Sequence, residues 1–129
     1  MKANYKLALT LLTGAALGAA AIQGLRAQAK PPSYVVIDIS EVTDVEAYKA
    51  VSQRSPAVVA ADLQEFGGRF IANTGKITAV DGIAPRRIVV IAFENTEKAQ
   101  TWVNSKNKKE VDAIRTKTTK SRSFIIEGI

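Results

Sequence analysis

The chain has 129 residues, 18 of them Lys or Arg and 12 Asp or Glu, with neither cysteine nor histidine. That length holds one domain. Without cysteine there is no disulfide or thiol chemistry, and without histidine no Ser-His triad, histidine-held haem or imidazole ligand, so no metal or cofactor is expected.

Lys2 and Lys6 precede a stretch from Leu7 to Ile22 that carries no charge, and Ala27-Gln28-Ala29 stands just before Lys30-Pro31-Pro32. A positive start, an apolar run and a small-x-small tripeptide ahead of prolines mark a cleavable secretory signal peptide over residues 1–29. The expected destination is periplasmic or secreted, with membrane contact only where the segment stays uncleaved as an anchor. Three of the basic residues and none of the acids lie in this segment, so the net charge of +6 falls to +3 for the domain over residues 30–129. Acids and bases are interspersed there, which removes the support for nucleic-acid binding.

Tyr34-Val35-Val36-Ile37-Asp38-Ile39 is a β-branched run that reads as the first strand. Tyr34, Val36 and Asp38 fall on one face and Val35, Ile37 and Ile39 on the other. Thr43-Asp44-Val45-Glu46 has capping-box spacing, so a helix is expected to begin near Asp44. Ser55-Pro56 suits a cap followed by a first-turn proline, which predicts a bent or double helix ending at Gly67-Gly68.

Arg69 to Ala72 is expected as the second strand, and Ile77 to Val80 as a short extended piece between the turns at Asn73-Thr74-Gly75-Lys76 and Asp81-Gly82. Arg86 to Phe93 reads as the central strand. Both its faces, Ile88, Val90 and Ala92 against Val89, Ile91 and Phe93, are apolar, so both need cover. Asn95 is expected to cap a second helical region, with Ser105 an internal cap. The cluster Lys106, Lys108 and Lys109 leads into Glu110 and Asp112 and reads as a solvated helix face. Ser123 to Glu127 is expected as the last strand.

The order strand, helix, strand, strand, helix, strand is the split βαβ pattern of an α+β, ferredoxin-like βαββαβ domain with a four-stranded antiparallel sheet. A domain this small has helix enough for one sheet face only, so a second copy is expected over the other.

The tyrosine-led first strand, Gly67-Gly68-Arg69-Phe70, Pro85-Arg86-Arg87-Ile88-Val89-Val90-Ile91-Ala92-Phe93, then Trp102 and Ser105, together resemble the bacterial domain-of-unknown-function 1330 family. The resemblance runs from Tyr34 to Ile129. It implies a dimeric α/β barrel, a homodimer in which two four-stranded sheets pack together. It implies no activity, because the family is named for lacking one. The chain departs from the family at Lys108, where relatives often carry an aromatic residue.

Asp38, a carboxylate in an apolar strand, is a candidate base or anchor, or else an ion-pair partner near the strand end. Tyr34 and Tyr48 each offer a phenol. Arg69, Arg86 and Arg87 have the fork geometry for an anionic ligand, or pair with Asp38, Glu65 or Glu127. Arg69, Arg87 and Trp102 are the candidate ligand-binding residues, with core packing the other reading of Trp102. Gly67-Gly68 has no phosphate-loop pattern behind it and reads as a helix stop.

Three functional classes are open. The leading one is an exported homodimer that binds a small apolar or weakly anionic molecule. The second is a cofactor-independent oxygenase or isomerase acting on a small aromatic or lactone substrate. The third is an envelope protein-interaction module without a ligand.

Overall fold

The computed structural model describes residues 30–129; the signal segment expected over residues 1–29 lies outside them. Ten residues, Ser33–Val42, form strand β1, in which burial alternates strictly from Ser33 to Ile39. Its period of two puts Val35, Ile37 and Ile39 into the core and Tyr34, Val36 and Asp38 on the opposite face, as the sequence predicts.

The first helical region is double. Helix α1, Val45–Ser52, starts at Asp44, whose carboxylate accepts from the Ala47 amide at 3.1 Å. Helix α2, Pro56–Glu65, restarts with proline in its first turn, where the missing N–H has no intrahelical partner to lose. Gly67 then adopts φ +76°, the left-handed conformation that ends the helix. Gly68 is needed for a different reason: a Cβ there would lie 2.7 Å from the Phe93 ring.

Strand β2, Arg69–Thr74, runs two residues beyond its expected end. The extended piece expected over Ile77 to Val80 does not form a strand. The chain from Gly75 to Arg86 is a loop, entered where Thr74 Oγ1 accepts from the Lys76 amide, and it leaves Val80 and Ile83 in solvent. Glycine at 75 and 82 and proline at 85 deny that segment a continuous ladder. Strand β3 spans Arg87–Phe93.

The second helical region is also double. Asn95 caps helix α3, Thr96–Val103, by accepting from the Lys98 amide at 3.0 Å, and Ser105 caps helix α4, Lys106–Thr118. Strand β4, Thr119–Glu127, begins four residues earlier than the apolar run alone suggests, because its polar first half still pairs with β1.

The strands form one antiparallel sheet in the order β2-β3-β1-β4. This order, with a helical crossover after β1 and another after β3, is the ferredoxin-like βαββαβ fold of the α+β class. Leu63 from α2 and Ala99 and Trp102 from α3 pack on Val35, Ile37, Ile39, Ile91 and Phe93 to make the core. The opposite sheet face carries Tyr34, Val36, Ile88, Val90, Phe124 and Ile126 in adjoining register. Phe124 is 41% and Ile126 46% exposed, and no helix among the described residues covers them.

Candidate functional site

The candidate catalytic and ligand-binding residues named from the sequence divide between the two sides of the sheet. Asp38 and Tyr34 lie on the helix-free face, and Arg69 shares that face from the edge strand β2. Asp38 aligns with Ile88 and Arg69 with Ala92, so the two stand four residues apart along β3 and do not converge. Tyr48, on α1, is half-buried and packs from the helix side, where Trp102 is buried. Arg87 opens β3 and donates to Asn73 Oδ1 at 2.8 Å.

Asp38 is paired with an arginine, but with Arg122 rather than Arg69, Arg86 or Arg87. Arg122 Nε donates to Asp38 Oδ2 at 3.1 Å, because the β1–β4 register sets these two residues directly opposite one another. Glu127, another partner expected for an arginine, accepts instead from the Thr96 hydroxyl at 3.2 Å. Beside the Asp38–Arg122 pair is a shallow hollow of about 320 Å³, lined by Asp38, Ser40, Lys120, Ser121 and Arg122. It holds one carboxylate against two cations, and it lies open at the sheet end.

A second group of charges lies on the helix side, and here the structure corrects the sequence reading. Lys108 does not belong to a solvated face; it is 5% exposed. Lys108, Asp112, Arg115 and Thr118 recur at helical spacing, and that stripe of α4 turns inward. The Lys108 ammonium pairs with Asp112 and lies 5.0 Å from the centre of the Trp102 ring, which also contacts Phe93 at 5.5 Å between centroids. Burial pulls the Lys108 pKa below the usual lysine range, assisted by the Arg115 charge and opposed by its hydrogen bond and charge contact with Asp112.

Arg115, 6% exposed, donates from Nε at 3.4 Å and from Nη2 at 3.1 Å to Asp112 Oδ1, and from Nη1 at 2.7 Å to Ser121 Oγ. Ser121 is held in turn by Thr119, whose hydroxyl lies 2.8 Å away. Trp102 completes the group, yet its indole Nε1 is buried with no acceptor among the described residues. Neither Asp112 nor Arg115 is singled out from sequence; the signal for them is the spacing of 108, 112 and 115, which continues at helical interval to the buried Thr118. The arrangement can hold and orient an acceptor beside a partly dehydrated ammonium.

Among solved structures the chain is similar to a protein of unknown function from Rhodopseudomonas palustris, at 12% identity over 84% of this chain and 92% of that one, with a TM-score of 0.58. It is also similar to SnoaB, a cofactor-independent oxygenase from Streptomyces nogalater, at 10% identity over 77% of this chain and 94% of that one, with a TM-score of 0.51. At these identities the likeness concerns the fold alone. No curated protein matches the sequence. The model of one family does match, over residues 32–129, and the chain accordingly belongs to the domain of unknown function family DUF1330.

Proposed function

We propose that the protein is an exported homodimer that binds a small, apolar or weakly anionic molecule. The observation that carries this reading is the helix-free sheet face, where Val36, Ile88 and Val90 adjoin the exposed Phe124 and Ile126. Burying each such side chain is worth about 1.5–3 kcal/mol, and a continuous apolar face of this kind marks an association surface. A second copy is the partner whose face matches it in kind, by two-fold self-complementarity. Export is supported by the order of Lys2 and Lys6, the uncharged run and Ala27-Gln28-Ala29.

Sedimentation of the purified protein at micromolar concentration tests the assembly. A dimer is expected, and Val90→Glu is expected to give a folded monomer; a monodisperse wild-type monomer sinks the reading. The mass of the protein recovered from the host envelope tests export, with a first residue near Lys30 expected. A cofactor-independent oxygenase, the description borne by SnoaB, is the alternative that shares this fold. Its minimum requirement is turnover that disappears in Asp38→Asn while the dimer persists.

A further inference from the structure

The helix-side cluster does not balance in charge or in hydrogen bonds. Lys108 and Arg115 are both buried, and among the described residues both pair with the single carboxylate of Asp112. One positive charge is therefore left over inside the domain, where an unmatched ion is costly. Trp102 adds a buried indole N–H that meets no acceptor. A surplus cation and an unpaired donor on one ring call for the same complement: a compact acceptor carrying one negative charge.

We propose that Trp102 and Lys108 bind the carboxylate of a small monocarboxylic acid, with Arg115 and Asp112 as its positioning residues. This rests on the reading of the domain as a small-molecule binder and names the ligand class. The ammonium stands 5.0 Å from the indole ring centre, and the indole N–H on the same ring has no partner, so the ligand's two oxygens are assigned one to each donor. Arg115 already spends its fork on Asp112 and Ser121, which leaves Lys108 as the charge that meets the ligand. A single surplus charge favours a monoanion over the phosphate dianion. The Phe93 ring beside Trp102 makes the surroundings apolar and favours an acid with an apolar body. Access is past Asp112, whose side chain is 26% exposed.

The chain has one tryptophan, so its indole N–H gives one resonance to follow. The experiment titrates the full chain with benzoate, and separately with benzamide, inorganic phosphate and sodium chloride. Benzoate is expected to move the indole signal saturably while the other three leave it in place. Lys108→Met is expected to weaken benzoate about tenfold or more, the effect of losing a charge-assisted bond, and Lys108→Arg to restore it. Lys108→Gln provides a second neutral variant where the methionine variant fails to fold.

An indole signal that benzoate leaves unmoved, or that benzamide or phosphate moves equally, overturns the proposal. So does unchanged benzoate affinity in a folded neutral variant. A dimer by sedimentation with a silent indole defeats the carboxylate assignment alone, whereas a monomer defeats the broader reading.

Discussion

Lys108 and Asp112 form an ion pair across one turn of α4 with the Trp102 ring beneath the ammonium, so a residue of nominal surface type is packed as core. The lysine is 5% exposed. Its aliphatic stem supplies apolar contact, and its charged end is held by a carboxylate and a ring face.

Removing either half of this pair is expected to act with opposite sign. Lys108→Met replaces a buried ion by an apolar chain of similar length and leaves Asp112 with Arg115, so unfolding by urea should show stability unchanged or raised. Asp112→Ala strands two buried cations and should cost about 3 kcal/mol, the lower part of the range for breaking a buried pair, because the aspartate is partly exposed.

The lowered Lys108 pKa sets a pH dependence. Between the folded and the unfolded value, the unfolded chain holds a proton that the folded one has released, so stability rises with pH across that window. Below the folded value the penalty is present in full. Urea midpoints of the wild type should therefore gain on those of Lys108→Met as pH climbs from neutral toward the ordinary lysine value.

At the end of α2, neighbouring glycines should fail differently. Gly68→Ala brings a methyl 2.7 Å from the Phe93 ring and should cost about 1–3 kcal/mol by overpacking. Gly67→Ala meets no such neighbour but must hold φ +76°, at about 1–2 kcal/mol. Thermal melts of both variants separate the two costs, with Gly68→Ala the less stable.

Asp38→Asn should change the unfolding free energy measured in urea by less than about 1 kcal/mol, since its arginine partner is largely solvated. Leu63→Ala, which empties a buried site between α2 and the sheet, should cost about 2–5 kcal/mol in the same measurement.

Much of the fold is legible in the sequence because local signals agree with the tertiary answer. The alternation from Tyr34 to Ile39, the caps at Asp44, Asn95 and Ser105 and the stop at Gly67 each depend on a few adjacent residues. Strand ends are less legible: Thr119 to Arg122 is polar, and only pairing with β1 makes it strand. Ile77 to Val80 has strand chemistry but no ladder to join.

The candidate site is less legible still. Charge type is written in the sequence, but burial is not, and Lys108 turns inward only because Asp112 and Trp102 stand ready to receive it. The partner of Asp38 follows from the β1–β4 register, a long-range property that no window of residues contains.

Strand β1 lies between β3 and β4, so its second flank is closed by the strand most distant from it in sequence, Thr119–Glu127. A ribosome that has not yet released this stretch holds a nascent chain whose earliest strand still has one edge open. Native structure is thereby deferred until this strand has emerged, and deletion of Thr119–Glu127 should abolish folding rather than trim it.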